Sequence, residues 1–262
     1  MSDPVPGESG GRRFLKFTVE SEPGILIPCA TLLPEGSPAS VVIAAHPEGK
    51  DAALRHPAAQ QALRDGKALC LADLRTFGET RWAHVDDQID LFTARAVIWL
   101  GRTMLGDWVK DLLAVRAAVV QLAGPKTVEL LAFGATVHPN SKNPAALSRG
   151  AMFALGDTTL AALAAAAIDR RFAGVTVENL LSTHVPEAAP SAFRYGIFVP
   201  GMLKWGDVSL LAALARCPVR VNSLVSLSGR ALTSAESAAW LAEVRRLGVR
   251  MKTPASVLLR KG

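Results

Sequence analysis

The sequence predicts a three-layer α/β/α sandwich built on a mainly parallel central sheet. Apolar runs typical of strands buried on both faces alternate with segments of helical periodicity, and this alternation implies parallel strands joined by crossover helices. Two β-rich runs around the turn Glu22-Pro23-Gly24 add antiparallel entry strands, since Pro fixes φ and Gly accepts a positive φ. Of the 262 residues 50% are hydrophobic and 20% charged, which allows a large core and excludes a disordered chain.

The strands are predicted from the apolar runs in chain order. The entry hairpin occupies residues 14–36, and the parallel part of the sheet begins at residue 40. Three runs should be neighbouring parallel strands: Val41–Ala45, Ala68–Ala72 and Val128–Phe133. The remaining strands are predicted within residues 172–181, within residues 217–227 and, as a short last strand, near 249–252.

The helices are predicted from apolar spacing and from residues that start or stop a helix. Gly66 ends a helix over residues 51–65, and Gly124 ends a helical stretch over residues 93–123 in which Gly101 and Gly106 are expected breaks. Two further helices cover residues 158–169 and 205–215. The last helix begins at a capping box, Thr233 with Glu236, and runs to about Leu247.

Charge and organisation limit the partners of the chain. Residues 1–13 are expected to be a flexible leader, and residues 14–262 a single domain. Residues 243–262 hold six Lys and Arg against one Glu, so they carry +5 of the net charge of +6 and are interpreted as a solvated terminus. The longest uncharged run has twelve residues, too short to span a bilayer. We therefore expect neither nucleic acid nor membrane as a partner.

Cysteine and glycine patterns indicate no metal and no cofactor. Cys29, Cys70 and Cys217 lie in apolar segments without a Cys-x-x-Cys pair, and the histidines do not have zinc-ligand spacing. The three cysteines are interpreted as reduced, buried thiols of a cytoplasmic protein. The sequence also lacks the glycine motifs of dinucleotide-binding and nucleoside-triphosphate-binding proteins.

Polar loops follow three of the predicted parallel strands. They are His46-Pro47-Glu48-Gly49, the segment from Asp73 to Thr80, and the segment from Gly134 to His138. Because open α/β sheets bind ligands at the carboxyl ends of their strands, we expect these loops to converge at one edge of the sheet.

These loops resemble the α/β-hydrolase fold, and more narrowly its carbohydrate-esterase branch of acetylxylan esterase-like and dienelactone hydrolase-like proteins. The resemblance rests on the entry hairpin, the His-x-x-Gly loop at His46, and the Asp-x-Arg-Gly-x-Gly loop, which stands here as Asp73, Arg75 and Gly78 with Thr76 in place of a Gly. Residues 102–107 and 228–232 are also similar to that branch, and the resemblance spans roughly residues 14–250.

The resemblance implies a nucleophile in a Gly-x-Ser-x-Gly turn, which this sequence lacks. Thr136 stands in the nucleophile position after the strand, and His138 stands where the second Gly belongs. Ser148, in Ala-Leu-Ser-Arg-Gly, is the closest variant of the motif, but it lies within an apparent insertion at about residues 138–157. Thr136 as a strand-end hydroxyl and Ser148 as a solvated turn residue are the alternative interpretations.

The other parts of the implied site are incomplete too. Ser226 stands where the family carries its acid, and no His follows His184, which is interpreted as a loop or lid residue. The loop with His46, Glu48 and Gly49 is the candidate oxyanion loop, although Pro47 lacks an N–H. Asp73, Arg75 and Ser226 are expected at the rim of the pocket, where an ion pair between Asp73 and Arg75 would fix their loop.

The resemblance implies an esterase-like hydrolase with weak or absent activity on a small acylated or carbohydrate-like ligand. The alternative is a catalytically inactive hydrolase-fold domain that binds a carbohydrate or a protein partner. A rescue of activity would bring Ser148 to the pocket, with His138 or His184 as its base. The oligomeric state is not predicted.

Overall fold

A nine-stranded sheet forms the centre of the described part of the chain. The computed structural model describes residues 1–9, 11–36, 38–81, 88–134, 157–185, 195–227, 229–253 and 256–260. The strands of this sheet are β1 Val5–Ser9, β2 Arg12–Glu22, β3 Ile25–Leu32, β4 Ser40–Ala45, β5 Ala68–Ala72, β6 Thr127–Phe133, β7 Phe172–Glu178, β9 Val219–Val221 and β11 Val257–Leu259. They lie side by side in the order β1-β2-β3-β5-β4-β6-β7-β9-β11. Two short strands, β8 Leu180–Leu181 and β10 Leu224–Val225, pair in parallel as a second sheet.

The N-terminal strands are antiparallel, as the turn at Pro23 predicts. β2 pairs with β3, and β3 pairs antiparallel with β5. The stretch expected to be a flexible leader contains β1, which pairs with β2. The Phe14 ring lies against Gly7, where a Cβ atom would come within 2.3 Å of it. β1 thus adds an edge strand to the hairpin, and Gly7, opposite Phe14 in the pairing, leaves room for that ring.

The parallel core of the sheet is confirmed. β4 lies between β5 and β6 and is parallel to both, so the three predicted strands are neighbours. β7, β9 and β11 continue the sheet in parallel from β6. The last strand was predicted near Val249–Lys252, and this is wrong, because the final helix continues to Arg250 and the strand begins at Val257.

Helices connect the parallel strands. They are α1 Lys50–Arg55, α2 Pro57–Arg64, α3 Gln88–Trp99, α4 Met104–Ala123, α5 Thr159–Ile168, α6 Met202–Trp205, α7 Val208–Leu214 and α8 Ser234–Arg250. The capping box of Thr233 and Glu236 at the start of α8 is confirmed. None of the helices in the described ranges is long and apolar enough to cross a membrane.

Three helix predictions differ from the structure for local reasons. The helix predicted over residues 205–215 begins at Val208, after its capping residue Asp207, and Trp205 ends the preceding short helix. The helix predicted over residues 51–65 is divided at His56, whose extended backbone precedes Pro57. The break predicted at Gly106 is wrong, since Gly106 lies inside the first turn of α4. Its N–H is bonded to the hydroxyl of Thr103, the capping residue of that helix.

Two apolar clusters cover the two faces of the sheet, and one face is partly open. The larger cluster packs α4, α5 and α8 on one face, and the smaller packs α1 and α2 against β4, β5 and β6 on the other. On the smaller cluster's face, β9 and β11 expose Arg220 and Leu258, while Val219, Val221 and Val257 point into the larger cluster. We call the side of β7, β9 and β11 that carries Thr176, Arg220 and Leu258 the open face.

Candidate functional site

The loops after β4 and β5 are in contact at the carboxyl edge of the sheet. A Cβ atom at Gly49 would lie 2.6 Å from the Cα atom of Gly78, so the two glycines allow the loops to touch. Gly134 follows β6 at the same edge, because β4 and β6 are parallel neighbours. Of the third loop only Gly134 is described; Thr136, His138 and Ser148 lie outside the described residues.

Asp73 fastens these two loops together. Its buried carboxylate accepts hydrogen bonds from the Lys50 N–H at 2.7 Å, from Lys50 Nζ at 2.6 Å and from the Glu79 N–H at 2.9 Å. The expected ion pair of Asp73 with Arg75 is therefore wrong: the partner is Lys50, at the start of α1. Lys50 directly follows the candidate oxyanion loop, so Asp73 fixes that loop at its end.

Arg75 instead pairs with α4. Its guanidinium binds Asp111 in a bidentate manner, with Nε 2.9 Å from Oδ2 and Nη2 2.5 Å from Oδ1. Burial would lower the pKa of Arg75, but Asp111, Asp107 and Glu22 outweigh it and raise the pKa. Bidentate pairing of this kind fixes the direction of a side chain, so Arg75 connects the Asp73–Thr80 loop to α4.

The same charged network reaches the turn of the entry hairpin. Lys110 and Arg102 donate to Glu22 and lower the pKa of that carboxyl to about 2. A cavity of about 600 Å³ lies beside this network and is lined by Glu22, Arg75, Thr76 and Arg102 among others. Of the carboxyl-edge loops only the one with Arg75 and Thr76 lines this cavity, and neither the candidate oxyanion loop nor Gly134 does.

Thr76 has a strained backbone. Its φ of 73° lies in the left-handed region, which a β-branched residue rarely adopts. The position is the one at which the resemblance expects Gly. Its buried hydroxyl has no hydrogen-bond partner in the part of the chain that the structure describes.

The candidate oxyanion loop is closed on itself. The Glu48 N–H donates to His46 Nδ1 at 3.0 Å, the Gly49 N–H donates to the His46 carbonyl at 2.9 Å, and the Lys50 N–H donates to Asp73. Burial lowers the pKa of His46, which favours the neutral ring that accepts this bond. A developing negative charge would have to compete for donors that already have partners.

The junction between β6 and α5 is held by backbone and hydroxyl contacts. Gly134 and Asp157 form an isolated antiparallel bridge, so the end of β6 and the start of α5 meet at one point of the sheet edge. The Thr158 hydroxyl lies 2.7 Å from the Ala45 carbonyl oxygen and accepts from the Phe133 N–H at 3.0 Å. Asp157 is fully buried and accepts from the N–H and hydroxyl of Thr159.

His184, one of the two possible bases in the sequence, forms a pair with Asp207 that the sequence did not reveal. His184 follows β8, and its Nδ1 lies 2.9 Å from Oδ1 of Asp207, the residue before α7. Because Nδ1 faces a carboxylate it carries the proton, which leaves Nε2 as the acceptor. The Nε2 atom is buried and has no hydrogen-bond partner among the described residues.

Several hydrogen-bond donors keep the Asp207 carboxylate ionised and in place beside His184. Burial would raise its pKa, but the bonds from His184, Thr183 and the Val208 N–H leave the pKa below its usual value. The Thr183 hydroxyl donates to Oδ2 at 2.5 Å. An Asp at a helix start was the available sequence signal, but only the fold brings it to His184.

Ser226, expected in the acid position, lies in a buried turn after β10. Its N–H donates to the Arg230 carbonyl at 2.8 Å, and its carbonyl accepts from the Gly229 N–H at 2.9 Å. Among the described residues no group of three or more His, Cys, Asp and Glu side chains can hold a metal ion. Cys29, Cys70 and Cys217 are buried and unbridged.

Comparison with known proteins identifies the fold. No family model and no curated protein matches the sequence. A Bacteroides fragilis protein assigned as an acetyl xylan esterase matches with a TM-score of 0.70 and 14% identity, over 100% of this chain and 69% of that one. A cold-adapted esterase from an Arctic intertidal metagenomic library matches with a TM-score of 0.54 and 17% identity, over 100% of this chain and 90% of that one. A Klebsiella pneumoniae protein assigned as a dienelactone hydrolase matches with a TM-score of 0.53 and 11% identity, over 99% of this chain and 86% of that one. The chain therefore has the α/β-hydrolase fold.

Proposed function

We propose that this protein is an esterase-like hydrolase that cleaves a small acyl ester, such as an acylated carbohydrate, with low turnover. The observation that carries the proposal is the pair of His184 and Asp207 at the carboxyl edge, with Nε2 of the histidine available as a base. Esterases and a dienelactone hydrolase are among the solved structures with this fold, which supports the reaction class. The three unbridged cysteines support a cytoplasmic location.

In the proposed reaction the nucleophile comes from residues 135–156. The hydroxyl of Ser148, or of Thr136, attacks the ester carbonyl and gives its proton to Nε2 of His184, while Asp207 positions the ring. The protonated ring then passes this proton to the departing alkoxide, and water releases the acyl group in a second cycle. His138 is the alternative base.

The geometry of the oxyanion loop argues for low turnover. Donors aimed at the developing oxyanion supply a large share of the catalysis in such sites, and losing one costs about 100-fold or more. Here the N–H groups of Glu48, Gly49 and Lys50 are already bonded within the protein. A substrate oxygen must therefore displace at least one internal acceptor.

The test is hydrolysis of p-nitrophenyl acetate together with labelling by a fluorophosphonate probe. We expect slow turnover that Ser148→Ala or Thr136→Ala abolishes along with labelling, whichever residue is the nucleophile. His184→Gln should lower kcat by about 100-fold or more, as expected for the loss of a general base. Asp65→Asn, a change of an exposed carboxylate directly after α2, is the matched control for Asp207→Asn and should leave turnover unchanged.

Two outcomes would contradict this proposal. Turnover that survives His184→Gln and Asp207→Asn would exclude the pair as the base. A folded protein that neither hydrolyses the ester nor reacts with the probe would instead favour the catalytically inactive, ligand-binding alternative.

A further inference from the structure

A groove on the open face of the sheet is lined by four cations, three of which are arginines without an acidic partner in the described part of the chain. Its volume is about 440 Å³, and it runs from α2 across β6 and β7 to β9 and the residue after β11. This volume lies in the range of small-molecule sites. Parallel sheets are normally covered on both faces, but here Arg220 and Leu258 are exposed.

Three guanidinium groups line this groove without an ion pair. Arg220 lies opposite Leu258 in the pairing of β9 with β11, and Arg260 follows two residues later on the same side. Arg64, from the last turn of α2, bonds only to the neutral Gln61 side chain. In the described part of the chain none of the three arginines forms a salt bridge.

Two of the three carboxylates that line the groove are engaged elsewhere. Glu129 pairs with Lys67 at 2.6 Å. Glu178 binds His56 at 3.0 Å and accepts from the Asn222 amide at 2.9 Å. The third, Asp65, accepts a hydrogen bond from the neutral Gln61 amide at 2.7 Å. Four cations therefore stand against three acids in the lining, and no carboxylate among the described residues pairs with Arg220 or Arg260.

We propose that this groove is a binding site for a small anion that carries phosphate or several carboxylate groups, held between Arg220 and Arg260. Guanidinium groups bind both kinds of anion in a bidentate manner, and a concave wall focuses their field. Arg64 adds a third positive charge at the α2 side of the groove. The site lies on a face of the sheet, whereas the proposed ester hydrolysis takes place at its carboxyl edge, so the two proposals are independent.

The experiment is isothermal titration of the whole chain with pyrophosphate and with citrate at constant ionic strength. We expect saturable one-to-one binding that Arg220→Gln and Arg260→Gln each weaken by about tenfold, the effect of losing one charge-assisted contact. Arg245→Gln, which removes the same charge from an exposed position on α8, should leave the affinity unchanged. Tighter binding of pyrophosphate assigns a phosphate ligand, and tighter binding of citrate assigns a polycarboxylate.

Thermal unfolding of each variant shows that it is folded, which is expected because all three arginines are exposed. Arg220→Lys keeps the charge but loses the bidentate geometry, and it should bind with intermediate affinity. The absence of saturable heat with both anions would overturn the proposal. So would an equal loss in the Arg245 variant, since binding would then follow net charge and not the groove.

Discussion

Replacing Thr76 by Gly should stabilise the protein, because the native backbone at this position suits glycine. With a φ of 73°, a non-glycine residue costs about 1–2 kcal/mol relative to a relaxed conformation. The buried hydroxyl, without a partner among the described residues, adds a penalty of about 1 kcal/mol that the change removes. Two losses of stability oppose these gains. The greater freedom of glycine in the unfolded chain costs about 0.5–1 kcal/mol, and the lost methyl contacts cost about the same.

The net expectation is about 1 kcal/mol of added stability. For a chain of 262 residues this corresponds to a rise in Tm of about 2 °C, which scanning calorimetry resolves. Urea unfolding should show the same gain as a shift of the midpoint with an unchanged slope.

Thr76→Ala is the matched control, since it removes the hydroxyl but keeps a Cβ atom at the same positive φ. It should give less than half of the gain of Thr76→Gly. A glycine variant that is less stable than the parent would show that the backbone at Thr76 is not strained. An alanine variant that gains as much as the glycine variant would show the same, because removal of the hydroxyl alone would then explain the gain.

Three further predictions concern the same edge of the sheet. Arg75→Gln leaves the fully buried Asp111 without its main partner and should cost about 3–5 kcal/mol in urea unfolding; a loss below 1 kcal/mol would contradict the pairing. Gly78→Ala places a Cβ atom 2.3 Å from the Asp73 carboxylate at a φ of 51°, and a loss of about 2 kcal/mol or more is expected by calorimetry. Burial holds the pKa of His46 in the folded protein below 6.5, its value in the unfolded chain. As the pH falls through 6.5, the unfolded chain therefore binds a proton first. The stability that the buried neutral ring contributes above pH 6.5 then declines until the folded-state pKa is reached. Urea midpoints across this range should decline less in His46→Gln, and equal declines would refute the assignment.

The sheet was predictable because its strands are coded locally. Uninterrupted apolar runs identified β4, β5 and β6, and the proline turn identified the entry hairpin. The capping box at Thr233 likewise specifies the start of α8 through residues three positions apart. In contrast, β1 was not predicted, because its polar residues show no strand periodicity and its order comes from pairing with β2.

The candidate site was predictable only in outline. The loops at His46 and Asp73 do meet at one edge, as the parallel strands require. Their ionic partners were not predicted, because Lys50 and Asp111 reach them through tertiary packing. The pairing of His184 with Asp207 was not predicted for the same reason, since the two residues lie 23 positions apart in the sequence.

The bridge between Gly134 and Asp157 brings the end of β6 next to the start of α5, although 22 residues separate the two along the chain. Further contacts hold this junction, such as the bond from the Thr158 N–H to the Phe133 carbonyl. Doubling the length of a flexible connection adds only about 0.6 kcal/mol of closure entropy. We therefore expect β6 and α5 to keep their positions when the length or sequence of the chain between them is changed.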